Sequence, residues 1–137
     1  MEIHFYQINY LAVFVAMIVH QIIGSLWYSS FLFGNLWVKE AKIDLSQVNK
    51  SEAMKGFLYS AILSVIVYFL IAILIDVSGA YSPGKGIFIG LIAGVIVALM
   101  TATNYIYESR SFKLFLITSL YPLISFATGG GILGGWH

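Results

Sequence analysis

Residues 86–105 read GIFIGLIAGVIVALMTATNY, twenty positions without a charged side chain. A helix rising about 1.5 Å per residue needs about 20 apolar residues to cross a hydrocarbon layer about 30 Å thick, and this run has that length. Residues 8–28, 57–75 and 114–136 are apolar stretches of similar size, so four of them fill most of the chain. The reading is an all-α polytopic membrane protein, four transmembrane helices in one bundle. It forms a single membrane domain over residues 1–137, with helices at about 8–28, 52–76, 85–106 and 112–136.

Composition agrees. Of the 137 residues 60% are hydrophobic and only 9% charged, and the mean hydropathy is +0.91. An ordinary soluble domain has about a quarter of its residues charged. The formal net charge of +1 provides no clustered Lys and Arg for phosphates, so nucleic acid is not an expected partner. The chain has no Cys, which removes disulfides, thiolate metal sites and thiol catalysis. Residues 1–7 carry no Lys or Arg, and the apolar run that follows exceeds a signal h-region and lacks a small-x-small cleavage site, so the first helix is expected to be retained.

Three short connections join the helices. The first, residues 38–55, holds Lys39, Lys42, Lys50 and Lys55 with Glu40, Asp44 and Glu52, and is long enough for a short interfacial helix; Ser51 and Glu52 read as a cap and first turn of the second helix. The second, residues 76–85, is rich in turn residues. Its Gly79 to Gly86 segment departs from a phosphate-binding loop at Gly86, where a hydroxyl residue is required, and no strand precedes it. The third, residues 106–113, contains Glu108, Arg110 and Lys113. Connections one and three share a side and hold six of the seven Lys and Arg, which predicts that they are cytoplasmic and that both termini are extracytoplasmic. Residues 8–38 lack a formal charge, yet as one helix they would extend about 46 Å. A bend is therefore expected near Ser29, Ser30 and Gly34, with Phe31, Phe33 and Trp37 in the headgroup layer.

The segment Gly24-Ser25-Leu26-Trp27-Tyr28-Ser29-Ser30-Phe31-Leu32-Phe33-Gly34-Asn35-Leu36-Trp37 resembles the signature of a family of small bacterial membrane proteins, the domain-of-unknown-function family 1761, whose pattern is approximately G-x-x-W-Y-S-P-x-x-F-G-x-x-W. Ser30 stands where that pattern often has Pro. Residues 107–114 resemble the family's connection between its third and fourth helices, and Gly130, Gly131, Ile132, Leu133 and Trp136 its ending. The resemblance implies four membrane helices, a bacterial inner-membrane location and no established activity.

Candidate site residues are few. His20 is the ionisable side chain that falls deep in the bilayer, and such groups are costly enough to count as functional candidates. Beside it stand Gln21, Gly24, Trp27 and Tyr28, and these five form the expected pocket. The competing reading makes His20 a structural residue hydrogen-bonded to another helix. Asp76 and Glu108 fall at helix ends, so no mid-membrane acid is available to alternate between a proton and a cationic solute. In the third helix Gly86, Gly90, Gly94, Ala98 and Ala102 recur every fourth residue as a packing ridge, answered by Gly130 and Gly134 in the fourth. Pro122 is expected to kink that fourth helix. Thr101, Thr103, Asn104 and Tyr105 with Thr118, Tyr121 and Ser125 either form a second polar pocket or satisfy one another.

No hydrolase or metalloprotease motif occurs, which points away from an enzyme; no cofactor and no metal are expected. The functional expectation is a small transporter or channel-like binder of a small or lipidic molecule, in contact with membrane lipid and assembled as a homo-oligomer. The alternative is a structural or accessory membrane protein with no ligand of its own. The loop charges generate a direct test: reporter fusions at Gln47 and Ser109 should read cytoplasmic and one after His137 external, and a C-terminus found inside would overturn this orientation.

Overall fold

Each long helix begins where a short polar side chain caps it. In the computed structural model, which describes all 137 residues, α1 (Tyr10–Trp27) is capped by Asn9, α3 (Lys50–Ser78) by Asn49, α4 (Pro83–Tyr107) by Ser82 and α5 (Phe112–Gly135) by Ser111. In every case the side-chain oxygen accepts from a backbone N–H of the first turn, which would otherwise lack a partner. The cap of α3 is thus Asn49 and not Ser51: an Asx turn reaching the N–H of Ser51 starts this helix two residues earlier than the sequence pattern indicated. Its other end overruns the expected boundary to Ser78, where Gly79 closes it at φ +63°, in the left-handed region that suits glycine.

These four helices are the ones long and apolar enough to cross a membrane. Between α1 and α3 the chain turns at residues 28–33, forms the short α2 (Gly34–Glu40) and then a 3-10 turn at Leu45–Gln47. The bend falls where the uncharged run becomes too long for the bilayer. Gly34 sits so close to the backbone of Tyr28 and Ser29 that any side chain there would collide with it. The Ser46 hydroxyl and N–H bond to Asp44 and hold its carboxyl below the usual range.

The tightest packing joins α4 to α5. Gly86 and Gly130 face one another so closely that a Cβ on either would run into the other's carbonyl oxygen; Gly90 lies equally close to the Phe126 carbonyl, and Gly94 lies against Leu123. Without a solvent-driven hydrophobic force between membrane helices, close backbone approach of this kind supplies the dispersion contacts that hold them. Gly134 continues the seam toward Ser82. The ridge is shorter than its spacing implied: Ala98 and Ala102 are only half-buried. Pro122 lies inside an α5 that runs on as one helix to Gly135.

The remaining core forms where α1, α3 and α5 meet: Ala12, Val13 and Ala16 pack with Tyr68, Ile71, Ala72 and Ile75, and with Phe126 and Leu133. The two ends are tied by polar contacts. At the end bearing the termini, the Asp76 carboxylate accepts from the His4 N–H (2.9 Å) and from the Tyr81 hydroxyl (2.6 Å), a bond that raises the Tyr81 phenol above its ordinary range. At the other, Ser111 donates to Glu40 (2.7 Å) and so docks α2 on the turn between α4 and α5. That turn is held by Arg110, which pairs with Glu108 (2.6 Å) and lies over the Tyr105 ring.

Substitutions along α4 test this seam. Gly90→Leu should cost at least about 2 kcal/mol by overpacking against backbone that cannot move aside, whereas Gly84→Ala, with open space around it, and Val97→Leu should stay within about 0.5 kcal/mol. Unfolding followed by circular dichroism in detergent measures all three, and equal tolerance would show that the seam does not hold the fold.

Candidate functional site

The half of the bundle that contains the core is closed; the other half is not. From Lys50 to Ser60 every residue of α3 is exposed, and Ser64 is the first residue of this helix to be buried. Here α3 stands away from α1, and the gap between them is a cavity of about 600 Å³. From α1 it is lined by Gln21, Gly24, Ser25 and Tyr28, from α2 by Trp37, from α3 by Ala53, Gly56, Phe57 and Ser60, and from α5 by Tyr121. A second, mostly apolar hollow of about 520 Å³ shares Gln21, Ser25 and Phe57 with it and runs along Ile18, Ile22 and Leu26. Together they make one groove, polar and aromatic near α2 and greasy toward mid-membrane.

Of the five expected pocket residues, Gln21, Gly24 and Tyr28 line this groove. His20 and Trp27 do not, which corrects the expectation: an α-helix rotates about 100° from one residue to the next, so neighbours in sequence face different sides. Trp27 turns to α5, donating its indole N–H to the Ile117 carbonyl at 2.9 Å, with its ring against Phe33. His20 points into the junction of α1, α3 and α5, where Nδ1 lies 2.9 Å from the Tyr68 hydroxyl and Nε2 lies 2.7 Å from the Tyr121 hydroxyl.

The direction of each bond follows from one fixed point. The Tyr68 hydroxyl bonds to the Ser125 carbonyl at 3.0 Å, and a carbonyl only accepts, so Tyr68 commits its proton there. Toward His20 the Tyr68 oxygen must then accept, which makes His20 the Nδ1–H tautomer. Nε2 is left as the acceptor, and Tyr121 donates to it. The chain runs Tyr121 O–H to His20, His20 N–H to Tyr68, Tyr68 O–H to Ser125, and ends on backbone. It satisfies both ring nitrogens of His20 and commits the proton of each tyrosine, while the Ser125 hydroxyl, buried beside it, has no partner.

Two glycines make room for it. A Cβ on Gly129 would collide with the Tyr68 ring, and one on Gly24 would stand 2.7 Å from the Tyr121 hydroxyl. Sequence reading placed Gly24 in the site but missed Tyr68, Tyr121 and Trp37 as its partners, because their proximity depends on how the helices cross. Only the tyrosines' position inside long apolar runs was available as a signal, since a phenol in lipid needs a partner. The second polar pocket does not form. Thr103 bonds within its own helix, and Tyr105 donates to Thr118 (3.0 Å), whose own proton goes to the Leu114 carbonyl (3.0 Å). Tyr121 and Ser125 belong instead to the His20 chain.

The two readings of His20 can be separated by substitution. Gln retains one donor and one acceptor, so His20→Gln should keep most of the stability. His20→Leu strands the Tyr121 hydroxyl and should lose about 1–3 kcal/mol in detergent unfolding; an unchanged midpoint would mean that the junction does not depend on these bonds.

No curated protein and no solved structure matches this chain. A family model described as "Protein of unknown function (DUF1761)" matches residues 11–134, which covers all four membrane-length helices except the first residue of α1 and the last of α5. The family has no assigned activity, and the chain belongs to it.

Proposed function

We propose that this protein is a small transporter or channel-like binder that admits a lipidic molecule sideways from the bilayer into the groove between α1 and α3. The observation that carries this reading is the groove itself, about 600 Å³ beside about 520 Å³, polar and aromatic at one end and apolar at the other. Ligand sites combine an apolar wall with a few fixed polar groups in this way. The setting we assign is the bacterial inner membrane, with α2 and the basic connections in the cytoplasm and both termini outside. We assign a homo-oligomer as the working form, because four short helices enclose little interior alone.

One observation favours the rival reading of an accessory protein without a ligand: both ring nitrogens of His20 are already occupied, so the membrane-buried ionisable group is explained by packing.

Gly56 separates the two readings. It lines the groove and a Cβ there would have nothing within 4 Å, so Gly56→Trp brings an indole into the space without a clash at its root. In liposomes carrying a single-chain lipid with a fluorescent label on its chain, the native protein should speed exposure of inner-leaflet label to a membrane-impermeant quencher, and Gly56→Trp should abolish that gain. Native vesicles that behave as protein-free ones would support the accessory reading.

A further inference from the structure

The hydrogen bonds around the groove fix which of its polar atoms can still bind something. Tyr121 lines the groove, but its proton is committed to His20, so its oxygen offers only lone pairs. Gln21 is in the same position. Its amide nitrogen donates to the Phe57 carbonyl (3.2 Å) and to the Ser60 hydroxyl oxygen (3.1 Å), while the Ser60 proton goes to the Phe57 carbonyl (2.8 Å). The Phe57 carbonyl can only accept, which settles the orientation of the amide, and the Gln21 oxygen is left as a free acceptor. Two acceptors that cannot reverse their sense therefore belong to the lining, one from α1 and one from α5.

Around them stand three rings. Tyr28 lies edge-to-face with Trp37, centroids 5.0 Å apart at 63°, and edge-to-face with Tyr121, 5.5 Å apart at 77°. A cation is attracted to the electron-rich face of an aromatic ring and not to its edge, and rings at steep angles to one another turn their faces in different directions, so an ammonium beside them can lie over the face left uncovered. Ser25 and Tyr28 hydroxyls turn in either sense, and Trp37 adds one donor, its indole N–H. No Lys, Arg, Asp or Glu lines either part of the groove, so no head of either sign meets an opposite charge, and the two fixed acceptors and the ring faces decide in favour of a donor-bearing cation. The apolar part along Ile18, Ile22 and Leu26 suits a hydrocarbon body.

Resting on the reading of the groove as a binding site, we infer that its occupant is an amphipathic primary amine. The ammonium donates to the Tyr121 and Gln21 oxygens beneath the Tyr28 and Trp37 rings, and the apolar chain lies toward mid-membrane. The ammonium joins the chain directly, because a phosphate between the two would meet no cation in the groove. A free single-chain amine fits that order; a phospholipid, whose phosphate lies between chain and amine, does not.

The test uses the purified full chain in a non-ionic detergent and compares ligands of one chain length by their effect on thermal unfolding. Dodecylammonium should bind about fivefold more tightly than dodecanol, the scale of one charge–ring contact, and more tightly than dodecyltrimethylammonium, which has charge but no N–H. Dodecyl sulfate at equal occupancy of the micelle should give no specific shift. Gln21→Met should bring dodecylammonium down toward the trimethyl compound, and Trp37→Leu, a second variant that leaves the His20 junction intact, should bring it down toward dodecanol. Phosphatidylethanolamine should not displace dodecylammonium; displacement would assign the ammonium to a lipid headgroup and overturn the free-amine assignment. Equal binding of amine, alcohol and sulfate, all abolished by Gly56→Trp, would overturn the amine and leave the groove as a binding site. A dodecylammonium effect that survives Gly56→Trp would overturn both.

Discussion

A polar group in hydrocarbon must find its partner inside the protein, and in this bundle one imidazole satisfies that requirement for three helices at once. His20 of α1 accepts from Tyr121 of α5 and donates to Tyr68 of α3, whose own proton ends on the Ser125 carbonyl. Each bond in isolation contributes on the order of 1 kcal/mol, but losing one in the dry junction strands another group at a cost of about 1–3 kcal/mol. That asymmetry fixes the mutual placement of α1, α3 and α5, and with it the shape of everything on the α2 side of the junction. The groove opens directly beyond the point where these bonds stop.

The four spans were legible because length and hydropathy alone decide them: 86–105 is too long and too apolar for any other use. The glycine ridge was legible at Gly86, Gly90 and Gly94, since small residues at fourfold spacing have one effective use in lipid. Its extension to Ala98 and Ala102 was not, because whether α5 stays close depends on what α5 presents opposite. The site was half legible for a similar reason. His20 stands out as an ionisable residue in an apolar run, but which neighbours share its face and which turn away is a matter of helical phase and crossing. Tyr121 lies 101 positions away, and no local pattern announces it.

The stretch from Gly24 to Trp37 gains a physical explanation from the contacts. Gly24 leaves space for the Tyr121 hydroxyl, Trp27 bonds across to α5, and Tyr28 stacks its edge on Tyr121 and Trp37. Gly34 allows the chain to double back on Tyr28 and Ser29, which brings Trp37 beside the end of α1. Interface anchoring would require the aromatic residues but not these spacings. The motif builds one wall of the groove and the turn that closes its end, while the Glu40 to Ser111 bond holds that turn against α5.

The free half of α3 has a mechanical meaning. Backbone contact locks α5 to α4, and the His20 junction locks α5 to α1, so stiffness is concentrated in three of the four spans. Beyond Ser64, α3 is a rod of about 14 residues, about 21 Å long, clamped at one end. Swinging it by about ten degrees would move its tip by about 4 Å, the width of a hydrocarbon chain, at the cost of the Gln21 hydrogen bonds and little buried surface. Such a swing would make the free half of α3 a lever on the space beside α1, with the Gln21 hydrogen bonds as its latch.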